Sequence, residues 1–155
     1  REKTLQRNFQ GYSTKGNADI YAFGMSAISQ AGRAYWQQRK ELPDYYAALD
    51  AGELPLARGY LLSDDDLLRR RTIMRLMCDL ELDYAAMSKN LGIDFETTFA
   101  VELESLADLE EDGLVMRQPG RLELTDLGRL LIRVVAMRFD AYLAAGREGR
   151  YSKAI

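Results

Sequence analysis

The pattern of apolar and polar positions becomes regular from Ser63 onward, where apolar residues recur at helical spacing. Ser63, followed by aspartates at positions 64–66, predicts a helix start, because a serine hydroxyl accepts from free amides and acidic groups favour that helix end. The predicted helix extends to about Leu80. Its apolar face consists of Leu67, Leu68, Ile73, Met74, Leu76, Met77 and Leu80.

Three further helices and a hairpin follow in the pattern. A short helix is predicted over about 84–91, a third over about 95–112, and a last one from about 126 to 143, each with a capping residue before it. Between the last two, residues 114–124 contain Pro119-Gly120 and predict a β-hairpin. Helix, short helix, helix and hairpin is the order of a winged helix, a helix-turn-helix variant.

The first sixty residues follow a different pattern. Residues 8–14 are aromatic and β-tolerant, and residues 20–28 form an apolar run that fits either a buried strand or the approach to a helix. Residues 35–49 predict a helix interrupted near Pro43. Two short strands without partners do not form a stable sheet, so this segment is expected to end a larger α/β domain.

Together these elements predict a fold that is mainly α with a small β component. We divide the chain into residues 1–42, the end of the larger domain, a linker over 43–62, and a helical winged-helix-like C-terminal domain over 63–155. The linker prediction rests on Gly52-Glu53-Leu54-Pro55.

Composition restricts the chemistry. The chain has 155 residues, a net charge of −3, one cysteine and no histidine. These counts exclude a disulfide framework, a histidine-based triad and nearly every zinc site, so we expect no metal ligands in this chain. No apolar run approaches 18 residues and no signal peptide opens the chain, so we expect a cytoplasmic protein without a membrane partner. The start at Arg1 instead of Met indicates a piece of a longer protein.

Charge argues against nucleic acid as a partner. The third predicted helix is where a winged helix would contact DNA, and it has no lysine or arginine. A phosphate backbone would repel its acidic side chains, so a solvated or protein-contacting face is the better interpretation. The acidic residues are Glu96, Glu102, Glu104, Asp108, Glu110, Glu111 and Asp112.

The basic run at 69–71 and the lone cysteine are two smaller candidates for a functional role. Arg69, Arg70 and Arg71 form a basic run near Arg75, which fits pairing with Asp64 to Asp66 or with the acidic third helix. The sharper alternative is a binding site for ligand carboxylates, which arginine binds bidentately. Cys78 lies in an apolar stretch and is interpreted as a small buried hydrophobe.

Five motifs stand in order along the chain: R-N-F-Q-G-Y-S-T at 7–14, M-S-A-I-S at 25–29, G-R-L-L-I-R at 128–133, F-D-A-Y-L at 139–143 and Y-S-K-A-I at 151–155. Between the second and the third lie Arg58-Gly59, Asp65-Asp66, Arg69-Arg70 and residues 76–78. In sequence and in order, these motifs resemble the oxygen-independent coproporphyrinogen III oxidase family.

The resemblance implies a radical S-adenosylmethionine oxidoreductase that converts coproporphyrinogen III to protoporphyrinogen IX in anaerobic haem biosynthesis. A [4Fe–4S] cluster would cleave S-adenosylmethionine, and two propionates would be oxidatively decarboxylated to vinyl groups. The family holds its cluster with a C-x₃-C-x₂-C loop, and this chain has Cys78 alone. We therefore expect residues 1–42 to end the family's α/β radical-S-adenosylmethionine barrel, with no catalytic residue in this chain and no activity for the chain alone.

Two cofactor-binding residues are inferred from the resemblance. The family binds a second S-adenosylmethionine, and the S-A-I-S element implies that Ile28 contacts it. Gln10 is the polar group that we place near the same ligand, because an amide both donates and accepts hydrogen bonds. A purely local role for Gln10, satisfying nearby backbone groups, is an equally good interpretation.

The resemblance also implies partners, and it leaves alternatives open. We expect coproporphyrinogen III and S-adenosylmethionine as ligands of the intact enzyme, which we expect to be monomeric. One alternative is a haem chaperone of the same superfamily, which would have G-P-G-A-H-S where residues 24–29 have G-M-S-A-I-S. The other is a stand-alone winged-helix domain that contacts proteins.

Overall fold

The computed structural model describes residues 5–8, 11–15 and 18–144. The chain divides into two compact units. We call Lys15–Leu67 the sheet unit, and Arg1–Thr14 together with Leu68–Ile155 the helical unit. Strands β1 (Gln6–Asn8) and β2 (Gly11–Ser13) form an antiparallel pair at the start of the chain.

The sheet unit is built on a three-stranded antiparallel sheet in the order β3–β4–β5. Strands β3 (Ile28–Ala31) and β4 (Ala34–Gln38) are joined by a tight turn in which Gly32 adopts φ +52°, a conformation that favours glycine. Helix α1 (Leu42–Asp50) connects β4 to β5 (Leu56–Leu61). All three strands are therefore close in the chain and need no long crossover.

The helix predicted from residue 35 is wrong over its first part, which forms β4. This strand pairs with β3 on one side and β5 on the other, so tertiary pairing overrides the local pattern. Pro43 lies in the first turn of α1 and begins that helix instead of interrupting it. The apolar run at 20–28 contains a turn at 24–26 and enters β3 at Ile28.

Residues 43–62, predicted as a linker, contain most of α1 and all of β5. All six residues of β5 are exposed, so the strand lacks the alternation of buried and exposed side chains that sequence analysis uses. Its backbone hydrogen bonds to β4 define it instead.

The helical unit contains most of α2 (Asp64–Asp79), a three-stranded sheet in the order β6–β8–β7, and a series of short helices. The predicted hairpin is confirmed, with Gly120 at φ +76° in its turn. The remaining elements are β6 (Glu81–Asp83), α3 (Tyr84–Leu91), α4 (Phe95–Thr98), α5 (Ala100–Glu104), α6 (Ala107–Glu111), β7 (Val115–Gln118), β8 (Arg121–Leu124), α7 (Asp126–Leu130), α8 (Ile132–Met137) and α9 (Ala141–Ala144).

Both long helices predicted after residue 94 are divided in the structure. The third is interrupted at Phe99 and near Leu106, and both of these side chains are fully buried. The last is interrupted at Leu131 and again before Ala141. No proline or glycine stands at these breaks, so packing of the core and not a helix-breaking residue type places them.

The core of the helical unit contains a chain of aromatic rings. The ring centroids of Tyr84 and Phe95 are 5.4 Å apart, those of Phe95 and Phe99 4.9 Å, and those of Phe99 and Phe139 5.8 Å. These spacings are typical of favourable aromatic pairs. Leu76, Leu82, Leu106, Leu122 and Val135 complete the most deeply buried set. No helix in the described residues is long and apolar enough to cross a bilayer.

Candidate functional site

A groove of about 340 Å³ lies on the sheet of the sheet unit. It combines aromatic, apolar and cationic side chains with one buried amide. The lining residues are Ile28, Tyr35, Trp36, Gln37, Arg58, Gly59 and Tyr60.

The strand register explains how these side chains come together. Ile28 of β3 pairs with Gln37 of β4, and Gln37 pairs with Arg58 of β5, so the three form one row across the sheet. Tyr35 and Tyr60 are opposite each other two positions along and share that face, since side chains alternate along a strand. Neighbouring strands are about 4.8 Å apart, so the row spans about 10 Å from Ile28 to Arg58.

The alternation also explains why Ile28 faces the groove. Ser29, its neighbour, is 1% exposed and points to the opposite face, where its hydroxyl accepts from the Ala22 amide at 2.9 Å. Trp36 pairs with Ser29 in the sheet, and its ring packs against Tyr21 with the ring centroids 5.8 Å apart. Ile28 keeps 36% of its surface exposed and is available for contact with a ligand.

Gln37 is the buried polar group of the groove. Only 9% of it is exposed. Its Nε2 donates to the Ser26 carbonyl at 3.1 Å, and its Oε1 accepts from Arg58 Nε at 3.0 Å. A carbonyl only accepts and a guanidinium only donates, so these two partners fix which way the amide of Gln37 points.

Arg58 is positioned by that amide and not by an acid. Among the residues that the structure describes, the only side-chain hydrogen bond of Arg58 is the one to Gln37, and no carboxylate pairs with it. Most other arginines of the described residues behave differently, because each has a carboxylate partner. These are Arg33, Arg69, Arg75, Arg117, Arg121, Arg129 and Arg138.

Tyr60, at the edge of the groove, is held by the start of α2. Its hydroxyl donates to Asp66 Oδ2 at 3.2 Å. The same oxygen accepts from the Ser63 amide and hydroxyl, both at 2.8 Å, and Ser63 Oγ accepts from the Asp66 amide at 3.1 Å. The predicted helix start at Ser63 is thus confirmed as a reciprocal capping arrangement.

The structure describes one of the two residues predicted to bind the cofactor. Ile28 lies on the groove, whereas Gln10 lies outside the described residues. Sequence analysis missed Gln37 and did not assign a role to Arg58. Their alternation with Tyr35 and Tyr60 along β4 and β5 was the available signal, and it was hidden because neither strand was predicted.

The basic run on α2 is engaged in structural contacts. Arg69 pairs with Glu102 of α5 at 2.7 Å and also donates to the Phe139 carbonyl at 3.2 Å. Arg75 pairs with Asp79 at 3.1 Å. The Arg69–Glu102 pair agrees with the predicted pairing to the acidic third segment, whereas Arg75 pairs with Asp79, which the prediction did not name.

The chain does not offer ligands for an iron–sulfur cluster. Such clusters need several thiolates, and Cys78 is the single cysteine of the sequence. Burial raises the pKa of the Cys78 thiol, an effect that the nearby positive charge of Arg75 partly opposes. In the described part of the chain no group of three or more His, Cys, Asp or Glu side chains is arranged to hold a metal ion.

Comparison with known proteins places the chain in a family. Residues 62–131 match the model of the HemN C-terminal domain. The chain is 42% identical over 97% of its length to an oxygen-independent coproporphyrinogen III oxidase of Helicobacter pylori. It is 46% identical over 92% of its length to the protein of the same name from Escherichia coli K12. These matches cover 33% and 31% of the two relatives, so the chain spans about a third of their length.

A solved structure agrees with these matches. It is described as coproporphyrinogen III oxidase (HemN) from Escherichia coli, a radical SAM enzyme. The chain superimposes on it with a TM-score of 0.86 at 44% identity, over 92% of this chain and 33% of that one. Similarity in sequence and in fold thus identifies the chain as the C-terminal portion of a member of the oxygen-independent coproporphyrinogen III oxidase family.

Proposed function

We propose that the chain is the C-terminal part of an enzyme that oxidatively decarboxylates two propionates of coproporphyrinogen III, giving protoporphyrinogen IX in haem biosynthesis. The observation that carries this proposal is the similarity to coproporphyrinogen III oxidases over nearly the whole chain, in sequence and in fold. The reaction would be a radical one, and S-adenosylmethionine with a [4Fe–4S] cluster would supply that chemistry.

The cluster would be held outside these residues, since one cysteine cannot ligate it. This chain would therefore be inactive alone. Its own contribution would be to bind ligands and cover the substrate pocket. Exposed apolar side chains of the sheet unit are consistent with packing against more protein, among them Phe23, 91% exposed, and Leu54, 77% exposed.

Within this portion, Ile28 would contact the second S-adenosylmethionine by apolar packing, and Gln10 would supply a polar contact to it. The exposed position of Ile28 on the groove supports its role. We also propose that the intact enzyme is a cytoplasmic monomer that does not bind nucleic acid. The acidic surface of α4 to α6 is the observation behind the last point.

We also propose a winged-helix plan for the helical unit and a domain boundary between residues 1–42 and residues 63–155. The order α2, β6, α3, α4 to α6 and then the β7–β8 hairpin supports a winged-helix plan for the helical unit. We propose that residues 1–42 belong with the end of a catalytic barrel and residues 63–155 with a separate C-terminal domain.

The proposal is tested with the full-length protein, purified anaerobically and reconstituted with its cluster. We expect it to convert coproporphyrinogen III to protoporphyrinogen IX with S-adenosylmethionine and a reductant. Ile28→Ala should raise the KM for S-adenosylmethionine about fivefold, because about 1 kcal/mol of apolar contact would be lost. Leu130→Ala is the matched control, since Leu130 is 82% exposed on α7 and does not line the groove.

The outcomes separate the alternatives. An intact protein that folds but has no affinity for porphyrins or S-adenosylmethionine would instead support a stand-alone protein-interaction domain. If the wild-type protein turns over and Ile28→Ala has the same KM for S-adenosylmethionine as Leu130→Ala, the proposed activity stands but Ile28 is not part of the cofactor site. Gln10→Ala is expected to lower turnover, and unchanged turnover and cofactor affinity would remove Gln10.

A further inference from the structure

We propose that Arg58, held by the buried amide of Gln37, binds a carboxylate of a ligand that lies in the groove. This inference deepens the proposed function and rests on it. The shared chemistry is a carboxylate on a largely apolar body. It has two sources in the proposed reaction, a propionate of the porphyrinogen and the amino-acid carboxylate of S-adenosylmethionine.

The guanidinium of Arg58 has N–H donors that no described residue accepts from. Arg58 uses its Nε for the hydrogen bond to Gln37 Oε1, and its two terminal nitrogens have no hydrogen-bond acceptor among the described residues. These two nitrogens carry four N–H donors. A carboxylate takes a bidentate pair from such a fork, and hydrogen bonds between charged groups are shorter and stronger than neutral ones.

Gln37 holds the Arg58 side chain in place. An exposed arginine normally samples many rotamers, and ordering it costs binding free energy. Here Gln37 is buried and its amide is fixed by Ser26 on one side and Arg58 on the other. Gln37 thereby reduces the freedom of Arg58 before any ligand arrives. It acts as a positioning residue, because its own polar atoms are already used.

The side chains around Arg58 suit a ligand that is both apolar and anionic. Tyr35 and Tyr60 flank the row of Ile28, Gln37 and Arg58 on the same face, so the groove offers apolar and aromatic surface beside one positive charge. No carboxylate of the described residues forms an ion pair with Arg58. A ligand with an apolar body on Ile28 and a carboxylate on Arg58 would span about 10 Å.

The test uses the reconstituted full-length holoenzyme and the variants Arg58→Gln, Arg58→Lys and Gln37→Ala. We expect Arg58→Gln to raise the KM for coproporphyrinogen III, or the KM for S-adenosylmethionine, at least about tenfold. A change of about that size is expected when one hydrogen bond between charged groups is lost. Arg58→Lys keeps the charge without the fork and should fall between wild type and Arg58→Gln. Gln37→Ala should raise the same KM, by less. Arg129→Gln is the matched control, because Arg129 is exposed on α7 and pairs with the fully exposed Asp126.

The readouts identify the source of the carboxylate. A change confined to the KM for coproporphyrinogen III, with unchanged release of 5′-deoxyadenosine when substrate is absent, assigns a propionate. A change in the KM for S-adenosylmethionine and in that release assigns the cofactor carboxylate. The proposal would be overturned if Arg58→Gln, Arg129→Gln and wild type had the same KM for coproporphyrinogen III and also the same KM for S-adenosylmethionine. Matching circular dichroism and cluster absorption spectra ensure that each variant is folded and loaded.

A direct binding measurement separates this inference from the proposed function. Coproporphyrin III, a stable tetracarboxylate, is titrated by fluorescence against the holoenzyme, with its tetramethyl ester as the uncharged comparison. Weaker binding of the free acid but not of the ester to Arg58→Gln supports a propionate site at Arg58, even if the wild-type protein does not turn over coproporphyrinogen III. Turnover by wild type with no effect of Arg58→Gln on either ligand would retain the function and reject the site.

Discussion

At the scale of single residues, Gly128 shows how one missing side chain allows two segments to approach. A Cβ built on Gly128 would lie 1.9 Å from the Leu114 carbonyl oxygen, far inside van der Waals contact. Thr125 draws the same segments together, because its hydroxyl donates to the Gly113 carbonyl at 2.7 Å and accepts from the Gly128 amide at 3.0 Å. The glycine that begins the G-R-L-L-I-R motif therefore has a packing role.

Gly128→Ala is expected to destabilise the helical unit by about 3 kcal/mol, since backbone must move to admit the methyl group. The gain of about 1 kcal/mol that alanine has over glycine in a helix does not offset this. Thermal unfolding followed by circular dichroism measures the effect. Gly59→Ala is the matched control, because its Cβ would meet the Tyr35 carbonyl oxygen at an ordinary 3.5 Å. Equal melting temperatures for the two variants would show that the approach at Gly128 relaxes easily.

At the scale of elements, the short helices are defined by their ends. Asp83 caps α3 by accepting from the Ala86 amide at 2.8 Å, and Asp94 caps α4 by accepting from the Thr97 amide at 3.0 Å. Gly92 ends α3 at φ +70°. Each of these contacts joins residues that are at most four positions apart in the chain. The types of the capping residues were therefore enough to predict where both helices begin and where α3 ends.

The junction of α6 and β7 is expected to depend on pH. Glu110 accepts from the Arg117 amide and guanidinium, at 2.8 and 2.9 Å, and these two hydrogen bonds lower the pKa of Glu110 from its ordinary 4.5. A carboxyl whose pKa is lowered on folding stabilises the fold fully above 4.5 and loses that contribution as pH falls towards the folded-state pKa. Glu110→Gln should therefore melt below wild type at pH 7, and the gap should narrow below pH 4.5.

The control for this prediction is Glu104→Gln. The Glu104 side chain is exposed on α5 and makes no ion pair or hydrogen bond with the residues that the structure describes. Its melting temperature should follow wild type throughout. A gap between Glu110→Gln and wild type that stays constant from pH 7 to pH 3 would contradict the linkage.

At the scale of the whole molecule, the two units differ in how they bury apolar side chains. The helical unit encloses a core of fully buried aromatic and aliphatic residues, Phe95, Phe99 and Phe139 among them. The sheet unit leaves large apolar side chains exposed, including Phe23, Leu54, Leu61 and Tyr21 at 91%, 77%, 73% and 62%. Such surface favours contact with other protein.

We expect residues 1–155, expressed alone, to self-associate through the sheet unit. The triple variant Phe23→Ser, Leu54→Ser and Leu61→Ser should be more monomeric in light scattering coupled to size-exclusion chromatography. Val101→Ser and Leu130→Ser, exposed by 78% and 82% in the helical unit, are the comparison. If the triple variant self-associates as much as wild type, the surface through which the chain associates does not include these three side chains.

The sequence by itself determined the locally encoded parts of this protein. The capping at Ser63, the stop at Gly92 and the hairpin at Pro119-Gly120 each depend on contacts within a few residues, so their residue types are sufficient. The family resemblance also follows from the order of motifs along the chain. The resemblance pointed to Ile28 as a ligand contact, but it did not indicate the groove or the other side chains that line it.

Only the tertiary structure decided the groove and the division of the long helices. Gln37 contacts Ser26 and Arg58, which are 11 and 21 residues away, and the strands that align them form only when β4 pairs on both sides. The breaks at Phe99 and Leu106 follow from burial in a shared core. Both outcomes depend on contacts between distant residues, and local propensity cannot specify which distant residues will meet.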